Sequence, residues 1–407
     1  MTGRRSPALI LLAVVLVALN MRGSIAAVPP IIDDLTSDLG ISRAGASLLT
    51  SLPVLCFAVA APAAALLGRR LGAGRAVLVG LALIAVGTGG RVLGGPAALF
   101  LGTAVLGLGI TIANILVPAV IKRDFGSSAG RVTGYFVATM AVGATLTSAL
   151  AVPLADRLGW RGALAFWTVL VPLAMAGWWL HVTRDERTGR ERARRAVHTE
   201  DVTVAVLAHR DRFVWRVPLA WALALALGSQ SALYYSLTTW LPSILVDRAG
   251  VSAGVAGVAL SVYQITAIPT ALTIAGLCRL RPTQGWIGAT IAVGWAGFLL
   301  GLMTAPQLWP LWTVLGGLAQ GAGFTFVLTL IVLRSGDEHV VRALGGMGQL
   351  LGYSVGAVGP LAVGWLAQTT GDWVAPTALL LGLSGILGVT SLLAGRDETV
   401  HAPRASH

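Results

Sequence analysis

The fold is decided by a stretch near the start of the chain, residues 7–32, which reads PALILLAVVLVALNMRGSIAAVPPII. Arg22 is its only charged residue. A run of about 20 apolar residues can cross the roughly 30 Å hydrocarbon layer of a membrane as an α-helix. Arg4 and Arg5 precede the run, as in a secretory signal peptide, but the run continues to Pro30. We therefore expect a retained first transmembrane helix.

Comparable apolar runs recur along all 407 residues. Hydrophobic residues make up 56% of the chain and charged residues 11%, whereas a soluble domain carries about 25% charged residues. Only helices and closed barrels satisfy their own backbone groups in lipid. The sequence does not show the short alternating segments of a membrane barrel. It therefore predicts an all-α membrane protein.

The apolar runs predict twelve transmembrane helices in two halves of six. The N-terminal half covers residues 1–183 and the C-terminal half residues 214–394. The stretch 184–213 between them is too polar to pack into a core, so we predict a cytoplasmic linker. Residues 395–407 form a short cytoplasmic tail in this prediction.

An internal repeat supports this division. Gly40-Ile41-Ser42 recurs as Gly250-Val251-Ser252 at an offset of 210 residues. Two further matches lie at nearly the same offset: Arg123 and Arg131 with Arg334 and Arg342, and Val142-Gly143-Ala144 with Val355-Gly356-Ala357. Parallel repeats of six helices are typical of the major facilitator fold, in which the solute site lies near the middle of the membrane. We predict two pseudo-symmetric six-helix bundles of this kind.

The basic residues predict the orientation. If the N-terminus is cytoplasmic, 23 of the 29 Lys and Arg residues fall in cytoplasmic segments, and five fall in outer loops: Arg43, Arg91, Arg157, Arg161 and Arg248. This asymmetry is typical of inner-membrane proteins, so we place both termini in the cytoplasm. Because the +12 charge sits in loops, we expect a lipid bilayer and a small solute as partners, no nucleic acid, and a monomer.

Arg22 is the strongest candidate for function. An arginine near the centre of a membrane helix costs about 2.5–3.5 kcal/mol on insertion scales and is a functional residue by default. The predicted spans contain no Asp or Glu, because Asp33, Asp34 and Asp38 lie beyond Pro29-Pro30. We therefore expect Arg22 to contact backbone carbonyls and water, and an anionic or strongly dipolar solute during transport. Alternatively, it extends toward the outer surface or holds a carbonyl structurally.

Neutral polar side chains within the spans complete the candidate site. Amide and phenol groups offer directional hydrogen bonds without adding charge. The alternative is that they join helices, at about 0.6 kcal/mol per hydrogen bond, and Asn20 in particular could bond a neighbouring helix. The candidate substrate-binding residues besides Arg22 are Asn20, Asn114, Gln230, Tyr234, Tyr235, Tyr263, Gln264, Gln320, Gln349 and Tyr353. We expect no metal, no cofactor and no catalytic residue.

Three segments carry a family resemblance. They are ALNMRGS at 18–24, VPAVIKRDFGSSAGRVTGYF at 117–136 and GQLLGYSVGAVGPLAVGWLAQTTGDW at 348–373. With them the chain resembles the cyanate and 2-nitroimidazole transporter family of the major facilitator superfamily. The resemblance implies alternating access, a small anionic or nitrogen-rich solute, and Arg22 as the substrate arginine of the family's first-helix motif. One departure is Arg69, which stands where the superfamily usually has an acidic residue.

The predicted function is therefore secondary transport of a cyanate-like or nitroimidazole-like solute. The alternatives are an efflux pump for drugs or azoles and, in a different class, a membrane sensor with a transporter fold. An enzyme is disfavoured because the sequence lacks paired carboxylates, a metal cluster and a nucleophile–base arrangement. A Walker lysine motif is also missing from the sequence, so we do not expect ATP as the energy source.

Overall fold

A computed structural model describes residues 7–125, 128–189, 209–278, 280–336 and 338–401. The described chain is almost entirely helical. Its α-helices are α1 Pro7–Ala26, α2 Ile32–Leu39, α3 Arg43–Val59, α4 Ala61–Leu71, α5 Ala73–Gly90, α6 Pro96–Phe125, α7 Ala129–Phe166, α8 Leu170–Gly189, α9 Pro218–Ala249, α10 Ala253–Ile265, α11 Ala267–Leu277, α12 Gly285–Thr304, α13 Trp309–Leu333, α14 Glu338–Thr370 and α15 Val374–Ala394.

The twelve predicted spans can be accounted for by these helices. By length and hydropathy, nine stretches of the described residues could cross a membrane, or ten if α3 and α4, bent by 59°, form one span. The 53-residue stretch Arg131–Thr183 contains two predicted spans and is kinked at Gly159, where φ is 68°. Helix α9 is not one of these stretches because its many polar residues lower its mean hydropathy. Its 32 residues are nevertheless long enough to cross a membrane.

The internal repeat is visible in the backbone. Gly40 follows α2 and Gly250 follows α9, both in the left-handed conformation, with φ of 62° and 66°. Glycine adopts this conformation readily and commonly ends helices. Two residues later, the hydroxyl oxygen of Ser42 accepts a bond from the amide of Gly45, and that of Ser252 accepts one from the amide of Val255. The repeated tripeptide is therefore a repeated helix stop and restart.

The described residues form two compact units. The first unit comprises residues 7–28 and 59–189, and the second comprises residues 29–58 and 209–401. Within its N-terminal part the chain passes from one unit to the other twice. The first passage follows Val28, just after α1, and the second follows Ala58, beside the bend between α3 and α4. Residues 29–58 thus group with the second unit although they precede the linker. The domain boundaries at 183 and 214 stay a prediction.

Equivalent helix pairs pack through equivalent glycines. Helix α7 packs on α1 in the first unit, and α14 packs on α9 in the second. A Cβ atom at Gly143 would lie 2.7 Å from the carbonyl oxygen of Leu19, and one at Gly356 would lie 2.8 Å from Cβ of Ser231. Leu19 and Ser231 are 212 residues apart. The same shift makes Tyr234 the counterpart of Arg22.

Candidate functional site

Arg22 lies just before the last turn of α1. The helix ends four residues later, at Ala26, and is followed by a 3-10 turn over Pro29–Ile31. Together with α2 it belongs to the candidate span Leu9–Leu39, which places Arg22 near the middle of that span. The side chain is half-buried and interacts with its surroundings. The predicted solute role of Arg22 stays a prediction.

The end of α1 is capped completely. The last four carbonyls of a helix have no partner within the helix and must be satisfied from elsewhere. Here every one of them accepts a hydrogen bond. The donors are the amide of Ala27 to Gly23 at 3.0 Å, Nη1 of Arg91 to Ser24 at 2.9 Å, the amide of Val28 to Ile25 at 3.3 Å, and the Ser148 hydroxyl to Ala26 at 3.2 Å.

Arg91 is the residue of this site that sequence reasoning missed. We counted it among the outer loop charges, but the structure buries it fully in the first unit, directly after α5. Its Nε and Nη2 atoms have no hydrogen-bond partner among the described residues. Burial lowers the pKa of Arg91 to about 10, so the side chain remains protonated at neutral pH. A buried positive charge therefore lies one hydrogen bond from the helix that carries Arg22.

Asn20 and Asn114 are the other candidates in the first unit. Asn20 is buried, and its amide nitrogen donates to the carbonyl oxygen of Leu16 at 2.7 Å and of Leu170 at 3.5 Å. Asn20 thus connects α1 to the start of α8, as the alternative interpretation describes. Asn114 is half-buried on α6. A contact of either residue with solute stays a prediction.

In the second unit, Gln230 is the centre of a buried polar chain. Its Oε1 accepts a bond from Nε1 of Trp295 at 3.0 Å, and its Nε2 donates to the carbonyl oxygen of Gln320 at 3.2 Å. The Gln320 amide in turn donates to the carbonyl oxygen of Tyr263 at 3.5 Å. Gln264, also buried, donates to Oγ1 of Thr238 at 3.5 Å. These contacts join α9 to α10, α12 and α13.

Aromatic rings accompany this polar chain. The ring centroid of Tyr234 lies 4.8 Å from that of Tyr235 and 5.5 Å from that of Phe324, and both pairs pack edge to face. This three-ring group is called the α9 aromatic cluster below. The Tyr263 ring stacks on Phe298, and its buried hydroxyl has no hydrogen-bond partner within the described residues.

The remaining candidates lie on α14. Tyr353 is half-buried and packs edge to face with Phe57, with ring centroids 5.9 Å apart. Gln349, one turn earlier, is exposed. Sequence alone does not predict this difference in exposure, because residues four apart lie on the same face of a helix.

Two further sets of buried contacts stabilise helix ends outside the candidate site. Arg334 is almost fully buried, and its guanidinium donates to the carbonyl oxygens of Ala394 and Gly395 at 3.1 and 3.2 Å and to Gln284. Desolvation lowers the pKa of Arg334. In the first unit, Nε2 of His181 lies 3.2 Å from Oδ2 of Asp124. Arg69, at the position that is usually acidic, is exposed in the last turn of α4.

Comparison with known proteins identifies the family. The sequence model of the Major Facilitator Superfamily matches residues 10–312. The chain belongs to the major facilitator superfamily. It is 36% identical over 389 residues to the 2-nitroimidazole transporter of Escherichia coli K12, covering 95% of both chains. It is 29% identical over 379 residues to the cyanate transport protein CynX of the same organism, covering 92% of this chain and 94% of that protein.

Solved structures agree on the fold. A D-xylose–proton symporter matches with a TM-score of 0.70 over 95% of this chain and 96% of its own, at 13% identity. A bacterial homologue of the lysosomal transporter Spinster matches with a TM-score of 0.73 over 96% of this chain and 94% of its own, also at 13% identity. The predicted fold and the family resemblance are confirmed: this superfamily member is a multi-pass membrane transporter of small molecules.

Proposed function

We propose that this major facilitator protein is a secondary transporter for a small anionic or polar nitrogen-containing solute, with Arg22 as its electrostatic anchor. The observation that carries the proposal is the place of Arg22, a half-buried cation directly before the last turn of a helix whose end is fully capped. Stripping water from a charged solute is costly unless the protein compensates the charge. A guanidinium compensates it and also offers a planar fork of donors.

The chemistry of the relatives supports this class of solute. The names of two similar proteins specify 2-nitroimidazole and cyanate, which are both small, polar and rich in nitrogen. The α9 aromatic cluster favours the planar ring of an azole, since aromatic groups pair face to edge or offset. Transport of an azole is therefore the second candidate function, and an efflux pump would carry it outward.

The proposal includes the manner and place of transport. The protein would act as a monomer by alternating access in the inner membrane of a bacterium, with both termini in the cytoplasm. The distribution of Lys and Arg supports the orientation, and the superfamily supports the transport cycle.

Uptake into proteoliposomes tests the role of Arg22. Labelled cyanate and 2-nitroimidazole are supplied to the parent and to Arg22→Gln, Arg22→Lys and Arg157→Gln. Arg157 is an exposed arginine of the same unit and serves as the matched control. A hydrogen bond to a charged group contributes about 1.5–3 kcal/mol, so kcat/KM of Arg22→Gln should fall about 10-fold or more. Arg22→Lys should keep part of the rate. Undiminished transport by a well-folded Arg22→Gln protein would refute the anchor.

A further inference from the structure

We propose that Arg91 is a positioning residue for Arg22, holding the last turn of α1 so that the Arg22 side chain keeps one direction. The inference rests on the proposed function of Arg22 and adds a residue that solute need not touch. Nη1 of Arg91 donates to the carbonyl oxygen of Ser24 at 2.9 Å, two residues beyond Arg22. The contact brings a buried cation to a helix C-terminus, where positive charge is favourable.

The geometry at the end of α1 gives this contact its effect. Beyond Ala26 the chain leaves the α-helix, and after Val28 it also leaves the first unit. The carbonyls of Ser24 and Ala26 therefore depend on donors from other elements, and Arg91 and Ser148 supply them. Without such donors a terminal helical turn frays. Arg22 directly precedes that turn, so fraying there would remove the support that fixes the orientation of its side chain.

The α1 backbone around Arg22 is also held by packing. A Cβ atom at Gly23 would lie 2.9 Å from Cγ2 of Thr147, and one at Gly143 would lie 2.7 Å from the carbonyl oxygen of Leu19. Asn20 connects α1 to Leu170. The α1 backbone is thus held before Arg22 by the contacts of Leu19 and Asn20, and after Arg22 by the contact of Gly23 and by the caps. Arg91 is the charged member of the caps.

The Gly102 position shows that Arg91 itself is held firmly. A Cβ atom at Gly102 of α6 would lie 2.6–2.7 Å from the backbone nitrogen, Cα and Cβ of Arg91. Backbone in such close contact cannot move without displacing α6. The Arg91 guanidinium is therefore fixed at its base and extends to α1 from a rigid support, as positioning requires.

The direct test measures the reactivity of Arg22. Phenylglyoxal modifies accessible guanidinium groups, and mass spectrometry of the purified transporter gives the rate at Arg22 in the parent, Arg91→Met, Arg91→Lys, Ser148→Ala and the exposed control Arg157→Met. The rate at Arg22 should change about threefold or more in Arg91→Met and less in Arg91→Lys, which keeps a donor. The control should match the parent. An unchanged rate at Arg22 in Arg91→Met overturns the inference.

Transport gives the second readout. In Arg91→Met the KM for labelled 2-nitroimidazole or cyanate should rise about tenfold, as expected for loss of a charge-assisted hydrogen bond, with a smaller change in kcat. In the Arg22→Gln background the same substitution should add nothing. Independent, multiplying effects would overturn the inference, as would a lowered Tm with the parent's KM. A changed labelling rate combined with parental transport by Arg22→Gln would instead refute the proposed function and leave the coupling intact.

Should Arg91→Met fail to fold, Ser148→Ala tests the same turn. It removes one neutral cap from the carbonyl oxygen of Ala26, and a neutral hydrogen bond contributes less than a charged one. A change in the Arg22 labelling rate in the same direction as for Arg91→Lys supports the inference. Parental labelling in both milder variants overturns it.

Discussion

Gln230 shows what a single buried amide does in this fold. Both ends of its side chain are bonded, to the indole of Trp295 and to the carbonyl of Gln320. Replacement by leucine would leave the buried Trp295 indole N–H without a hydrogen bond, at a cost of about 1–3 kcal/mol, and would remove the additional bond to the helical carbonyl of Gln320. We expect Gln230→Leu to lower the Tm of the purified transporter by several degrees, measured by thermal unfolding in detergent.

The exposed Gln307 provides the control, because Gln307→Leu removes no described contact and should leave Tm unchanged. An unaltered Tm in Gln230→Leu would show that the bonded chain is not stabilising. If Tm falls while the KM for solute stays at the parental value, Gln230 joins helices and does not bind solute.

For single residues, the sequence shows which side chain is unusual in its apolar surroundings, but not which groups that side chain contacts. Arg22 could be found because it interrupts an apolar run, and its cost in a membrane is independent of the fold. Arg91 could not be found in this way, because it follows a helix where a charged loop residue is ordinary. The burial of Arg91 depends on the direction of its long side chain, and tertiary packing determines that direction. Gln230 and Gln349 are equally polar in sequence, yet one is buried and the other exposed.

Among helix pairs, the contact of α1 with α7 is the one closest to the proposed site. The Cβ distance at Gly143 is too short for any side chain, and its nearest atom is backbone. We expect Gly143→Leu to push the helices apart, lowering Tm and reducing labelled uptake about tenfold or more, since small misplacements of binding groups are costly. Parallel thermal unfolding and uptake assays measure the two effects.

Gly134→Leu, on the same helix, is the matched control. A Cβ atom there would meet no heavy atom within 4 Å. Because leucine favours helix over glycine, Gly134→Leu should keep or raise Tm and leave uptake unchanged. Equal loss in both variants would mean that the close approach at Gly143 has no special role.

The predicted spans correspond to helices, but several of them are interrupted. Span one was expected over 7–32, and α1 ends at Ala26 before the 3-10 turn at Pro29–Ile31. The second span, predicted over about residues 44–67, divides into α3 and α4, and the span predicted over 253–278 divides into α10 and α11. Pro62 stands at the start of α4, where the missing N–H of proline is not needed by the helix. Other prolines, such as Pro53 and Pro118, lie inside helices. Hydropathy therefore finds the length of a span but not the position at which its helix breaks.

For the whole molecule, the repeat predicted from sequence is confirmed in the turns at Gly40 and Gly250 and in the packing of Gly143 and Gly356. The repeat does not predict how the chain is shared between the compact units. Residues 29–58 lie in the N-terminal half of the sequence and in the second unit. Compact units follow three-dimensional contacts, and internal similarity records only the order of the helices along the chain.

The orientation predicted from the charge distribution can be tested with reporter fusions to the full-length protein. Alkaline phosphatase is active only outside the inner membrane, and green fluorescent protein fluoresces only inside it. We expect active phosphatase when it is fused after Leu93, between α5 and α6, and fluorescence when the reporter follows Pro282, between α11 and α12, or the C-terminus. Exchanging the reporters at each site should abolish both signals. The reverse pattern would place the capped end of α1, with Arg91, on the cytoplasmic side, and the bias of 23 basic residues against five would then not set the topology.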